Sequence, residues 1–492
     1  MRENIALNRL PLLFVIYFVL WINAYCAITI NIIAPEYKNQ MVSWSKKADY
    51  ITNSHLIIDQ EQIDSNGNAQ LIGNFNKIEL TEISIGRSYG FIYIDTSTNE
   101  YQVYFPKDTL IEDASLKKSQ LQLVFIDLDK NDINQLILDF NLYYDYFLYG
   151  DTSKIIRMAH HDEEFQDSLN NFKIFASKRY GDKKIKFFHN YIRYEIALLE
   201  QMAHQSKGDI YRNYLYNSYL KRHEINYLND AYMQFFNLFY LKAFRIGGDE
   251  LFEKIRFTIN QLNDFEKLEN LMANNQFFTN NKLREIAIIK GLFDSYNSID
   301  FLQENIISML NFIEKNSQWY EHKEISKRCV NELLKLKKNS VCPNFHLKDR
   351  NNEYVNLESC KGKYTYINFF ASWNHRSLQE MEIINKYSQN YPSINFISIN
   401  MDQDNYKYNE YIKENQEFKW DICQPYNKEE IVSSFKLDHL PTYLLLNPNG
   451  EISQYPAYPP SPLYNNQSID VTFFNIKKNN TVKKQFNIGG KN

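Results

Sequence analysis

Residues 369–381 read Phe-Phe-Ala-Ser-Trp-Asn-His-Arg-Ser-Leu-Gln-Glu-Met. An apolar, strand-like run ends in the polar turn Trp373-Asn374-His375-Arg376-Ser377, and the residues after it suit a helix. Asn374, His375 and Arg376 then stand at a helix N-terminus, where free N–H groups and the helix dipole favour anionic groups. His375 has the chemistry of a general base, but no nucleophile is paired with it. Ser377, two residues on, reads as a helix cap rather than a catalytic hydroxyl. A metal at His375 would need ligands from elsewhere, such as His439, and nothing in the spacing brings them together, so no metal site is expected.

Thiol chemistry has little to work with. The five cysteines are Cys26, Cys329, Cys342, Cys360 and Cys423; no pair has C-x-x-C spacing and no Cys/His cluster has zinc spacing. Cys423, within Trp420-Asp-Ile-Cys-Gln-Pro425, reads as a buried small side chain. A hairpin centred on Asn351 pairs Phe345 with Leu357 and Leu347 with Val355, and the same register sets Cys342 opposite Cys360. Directly opposed strand residues have Cα atoms ~4.5–5.5 Å apart, within reach of a disulfide. Cys342–Cys360 is therefore the one disulfide candidate, with Pro343 and Lys361-Gly362 as the residues that would splay its ends.

The elements around the motif alternate. After Cys342-Pro-Asn-Phe-His-Leu347 come the hairpin, Gly362-Lys363, a strand over 364–370, the motif and a helix from about Ser377. Then follow a strand over 393–400, helices over 406–415 and near 429–435, the step His439-Leu440-Pro441-Thr442, a strand over 443–446, and the turn Pro448-Asn449-Gly450 into a last strand. Strands alternating with helices and closed by a hairpin describe an α/β layer. This order, with Pro343, Phe345, Gly362, Lys363, Asn368, Phe369, Ala371 and Trp373, resembles the TlpA/ResA-type branch of secreted bacterial thioredoxins. The resemblance implies a Trp-Cys-x-x-Cys motif at 373–377, and both sulfurs are replaced, by Asn374 and Ser377. It implies a cis proline at Leu440-Pro441 beside the motif, across which extended peptides lie by strand-like hydrogen bonds. Glu382 in place of a common proline, and Cys342 in place of a small residue before Pro343, depart from the pattern as well.

Upstream, residues 131–338 carry helical periodicity in segments such as 191–204, 209–223 and 231–244, and contain no proline. His160-His161 followed by three acidic residues reads as a solvated face, because adjacent helical side chains diverge by ~100°. Residues 27–130 read as short alternating strands separated by turns such as Asp64-Ser-Asn-Gly-Asn68. That order, with Gly90-Phe-Ile-Tyr-Ile94 and Tyr101–Pro106, resembles the small β domain preceding thioredoxin domains in many secreted Bacteroidetes-type proteins. Residues 1–26 show a basic start, an apolar core over 10–22 and small residues after it, the pattern of a secretory signal. An uncleaved anchor is the alternative, and Tyr25 before Cys26 fits a lipid-attachment site poorly.

A formal charge of −4 without a basic stripe argues against a nucleic-acid partner. The 37 Tyr and 34 Phe read as helix packing more readily than as ligand platforms. The expected molecule is a multidomain α+β protein. It has a signal over 1–26, an antiparallel β module over 27–130, a helical domain over 131–338 and an α/β/α thioredoxin-like domain over 339–492. No cofactor is expected. The expected role is a redox-inactive module in the periplasm or cell envelope that binds exported proteins or extended peptides, touching the membrane only through an uncleaved signal. The groups expected to bind are Asn374, His375, Arg376, Leu440 and Pro441. A thiol-disulfide oxidoreductase using non-motif cysteines, and a holdase for unfolded exported chains, are the rival readings.

Overall fold

The computed structural model describes residues 26–109, 116–159, 163–203, 208–462 and 467–488. Apart from Cys26, the expected signal lies outside the described residues, as do His160 and His161. Among the described residues no helix is long and apolar enough to cross a membrane.

The first strand, Cys26–Ile33, points Ile28, Ile30 and Ile32 inward, as its alternation dictates. It lies in a sheet of order Asn68–Phe75, Cys26–Ile33, Glu100–Tyr104, Val124–Ile126. The second sheet runs His55–Gln62, Met41–Lys47, Glu79–Ile85, Ser88–Ile94, Ser119–Gln120. Ile30, Leu71 and Val103 from one sheet and Trp44, Ile83 and Ile92 from the other share one core, which makes a sandwich. Pairing is antiparallel except where Cys26–Ile33 meets Glu100–Tyr104 and Ser88–Ile94 meets Ser119–Gln120. The strand Val124–Ile126 starts only after Leu123, which turns into the core over Gly90, where a Cβ would lie 2.5 Å from it.

The middle of the chain is helical from Ile133–Tyr149 to Tyr320–Leu334. Phe140, Phe172, Tyr191, Tyr194 and Tyr232 are buried in a single core, so the aromatic stripes pack helix on helix. Two expected helices are interrupted. Gly208–Leu215 passes into a wider π turn at Tyr216–Leu220, and Asp230–Phe239 ends before Lys242, which adopts a left-handed φ of 54°. The β module docks here. Tyr93 Oη donates to Asp230 at 2.7 Å, Asn237 Nδ2 to the Tyr50 carbonyl at 2.6 Å, and Arg328 Nε to Asp49 at 2.7 Å.

The C-terminal sheet has the order Tyr354–Asn356, His346–Lys348, Asp421–Pro425, Ile394–Asn400, Tyr364–Phe370, Thr442–Leu446, Ile452–Gln454. The strands Tyr364–Phe370, Ile394–Asn400 and Asp421–Pro425 are parallel and the others antiparallel. Side chains of the strand Tyr364–Phe370 alternate between two cores, Ile367 and Phe369 into one, Tyr366 and Phe370 into the other. Met381 and Ile384 of the helix His375–Asn390, and Phe473 of the C-terminal helix Ile469–Ile488, cover the second core. Ile431 of the helix Lys428–Ser434 enters the first. This is the expected α/β/α layer, and it puts the motif at the C-terminal end of the parallel strand Tyr364–Phe370.

Candidate functional site

The strand Tyr364–Phe370 ends at the motif, and Ser372 N donates to Asp402 at 3.0 Å, fixing the chain as it leaves the sheet. The helix then begins at His375, two residues before the expected start, because Asn374 is its cap. The Asn374 Oδ1 accepts from Ser377 N at 2.9 Å, and its Nδ2 donates to the Leu440 carbonyl at 3.0 Å. The expectation that Ser377 caps the helix is corrected. Ser377 stands in the first turn with a fully buried hydroxyl that has no hydrogen-bond partner among the described residues. Asparagine takes the cap because its planar amide accepts at one end and still donates at the other.

The other expected groups are arranged around it. His375 and Arg376 are exposed at the helix start; the ring of His375 meets Gln379 at 3.0 Å, and Arg376 approaches the buried Glu380 at 3.9 Å. Leu440-Pro441 is a cis step and faces the cap directly. His439 pairs with Asp438, and no group of metal-ligating side chains is present among the described residues. Trp373 Nε1 and Tyr443 Oη, like Ser377 Oγ, are buried without hydrogen-bond partners among the described residues.

Residues 362–452, which span the motif, match a family model described as thioredoxin-like. Over those residues the C-terminal domain is similar to thioredoxin-like proteins. The thiol-disulfide oxidoreductase ResA of Bacillus subtilis is 21% identical over 122 residues, 24% of this chain and 65% of that protein. The chain thus spans about two thirds of the curated relative's length. A putative thiol-disulfide oxidoreductase from Bacteroides vulgatus is 21% identical, covering 26% of this chain and 90% of that one, with a TM-score of 0.25. StoA from Bacillus subtilis is 24% identical, covering 23% and 87%, with a TM-score of 0.21.

In this thioredoxin-like domain the remaining sulfurs sit in the core. Cys342, Cys360 and Cys423 are buried in the core opposite the motif helix, and all five cysteines are free. Burial pushes the Cys360 thiol up to about 12 and raises Cys342 and Cys423 as well. The expected Cys342–Cys360 bridge is not formed. Leu347 pairs with Val355 as expected, but the ladder stops at His346–Asn356, because Asn356 caps a short 3-10 turn over Leu357–Cys360 that carries Cys360 out of register. The Cys342 thiol instead lies 3.3 Å from the Pro343 carbonyl.

One residue of the site was overlooked in the sequence. Glu380, one turn into the helix and 3% exposed, accepts from Ser461 N at 2.9 Å and from the Ser461 hydroxyl. A glutamate at that spacing from Arg376 also reads as an ordinary surface ion pair, and nothing local points 81 residues ahead.

Proposed function

We propose that this is an exported, redox-inactive thioredoxin-fold protein that binds extended peptide or protein segments at Asn374, His375, Arg376, Leu440 and Pro441. The carrying observation is the double use of Asn374. The position that a nucleophilic sulfur takes in the family is filled by an amide that caps the helix and holds the Leu440 carbonyl. Disulfide exchange needs a thiolate that can reach its target. The sulfurs of this domain are buried, and burial holds them protonated at neutral pH. The exposed His375 and Arg376 at the helix start supply polar and cationic contacts for a partner. Export is supported by the sequence pattern of residues 1–26.

Reduction of insulin disulfides by dithiothreitol is the test, comparing wild type with a variant in which every cysteine is alanine. Equal rates at the uncatalysed background are expected. A wild-type rate above background that the variant loses would establish the rival oxidoreductase reading. Iodoacetamide labelling of native wild type should leave Cys342, Cys360 and Cys423 unmodified until the protein is unfolded.

A further inference from the structure

We propose that the helical domain carries a binding pocket for a phosphate group, in which Arg193 and Arg222 hold the anion. The helix Lys186–Ala203 sets Lys186, Asn190 and Arg193 at i, i+4 and i+7, on one face. Residues 222–226 run past that face and close a cavity of about 220 Å³ between loop and helix. Two contacts fasten the loop there: Asn190 Nδ2 donates to Asn226 Oδ1 at 3.2 Å, and Lys186 Nζ to Glu224 at 2.9 Å. Lys186 and Glu224 cancel in charge, which leaves the two guanidiniums. Among the described residues no carboxylate lies within ion-pair distance of Arg193 or Arg222. Arg193 is held by a histidine instead. His223 Nε2 lies 2.9 Å from the Ser218 carbonyl, which can only accept, so that nitrogen carries the proton. The bare Nδ1 then accepts from Arg193 Nη1 at 3.3 Å. The imidazole thus orients a guanidinium without neutralising it. In a chain of formal charge −4, two arginines sharing one cavity with no counter-charge repel each other, and an anion between them relieves that. Guanidinium forks match phosphate oxygens two by two, and the second Asn190 amide proton adds a neutral donor. The cavity is smaller than the ~300–1,000 Å³ of sites for drug-sized ligands, so the ligand is diphosphate or the phosphate end of a larger molecule.

Isothermal titration calorimetry with inorganic diphosphate tests this on the full chain, in wild type, R193Q/R222Q and K254Q/R256Q. The last pair removes the same charge from the helix Asp249–Phe257, outside the cavity. Wild type and K254Q/R256Q are expected to bind saturably and alike, and R193Q/R222Q at least about tenfold more weakly, as the loss of charge-assisted hydrogen bonds requires. Co-sedimentation with phosphatidylcholine vesicles, with and without phosphatidate, separates the two sources of the phosphate. Phosphatidate-dependent pelleting of wild type that R193Q/R222Q loses assigns the group to a lipid headgroup. Diphosphate binding without pelleting assigns it to a soluble ester. Absence of both diphosphate binding and pelleting in wild type would overturn the proposal. So would a response that R193Q/R222Q retains in full, or one that K254Q/R256Q weakens equally, since either marks diffuse surface charge rather than this pocket.

Discussion

Glu195 illustrates what a single side chain does in this molecule. It stands on the helix Lys186–Ala203, close enough to Asp230 for their charges to repel, with the Tyr144 hydroxyl bonded to it. Burial first, and Asp230 second, push its carboxyl up to about 7. A raised carboxylate pKa means that the folded state holds the proton more tightly than the unfolded chain does, whose value is ~4.3. Stability from this group is therefore fully present below ~4.3 and is lost as pH rises toward 7. The E195Q variant keeps the neutral shape and cannot ionise. It should match wild type in urea unfolding at about pH 4 and exceed it by on the order of 3 kcal/mol at about pH 8. The same difference at both pH values would refute the assignment. Sequence periodicity placed Glu195 on a helix but could not show its environment, because Asp230 belongs to another helix. Asn374 is a similar case: its place at a helix start was legible from neighbours, while its bond to Leu440 spans 66 residues.

Among the elements, the proline-rich segment 455–462 has a role that its composition conceals. It crosses the helix His375–Asn390 as a strap. Tyr366 Oη donates to the Tyr458 carbonyl at 2.9 Å and Tyr387 Oη to the Pro460 carbonyl at 3.1 Å. Ala457 N donates to the Tyr443 carbonyl at 2.8 Å, and Ser461 closes onto Glu380. Prolines suit a strap because they lock φ and leave fewer N–H groups to satisfy. Glu380 is the carboxylate among these anchors, so E380A should expose the Ser461 N–H and lower unfolding stability by roughly 2 kcal/mol. Hydrogen exchange at Ser461 reads this directly, and protection as strong as in wild type would show that the tyrosines alone hold the strap. The strand Tyr364–Phe370, the motif helix and the closing hairpin were legible because local alternation and turn residues specify them. The ladder near Cys360 was not, since an Asn356 cap redirected a register that side-chain alternation alone would have continued.

At the scale of the whole molecule, the sandwich and the helices are joined by charged and polar contacts of long sequence range. Asp49 is 7% exposed and receives Arg328 Nε along with the Ile51 and Thr52 amides. Removing the arginine leaves a buried carboxylate with only its local donors, which costs more than the pair itself contributes. R328A should therefore loosen the β module, with faster hydrogen exchange at residues 49–52 and a loss of about 2 kcal/mol in stability. The motif itself should be unaffected, and exchange changes confined to the thioredoxin-like domain would count against this picture. The division into β, helical and α/β regions followed from the period of the apolar residues. The docking of one on another did not, because Asp49 and Arg328 each look like ordinary surface charges in the sequence.

The 279 residues between Arg328 and Asp49 have a consequence for synthesis. At about 5–20 residues per second, a ribosome needs on the order of tens of seconds to deliver the arginine after the aspartate has emerged. The helix partners of Tyr93 and Tyr50, Asp230 and Asn237, emerge earlier, so Asp49 is the last of these docking groups to be met. A product truncated before residue 328 would keep the Asp49 carboxylate without its cation, and such fragments are expected to be the sticky ones.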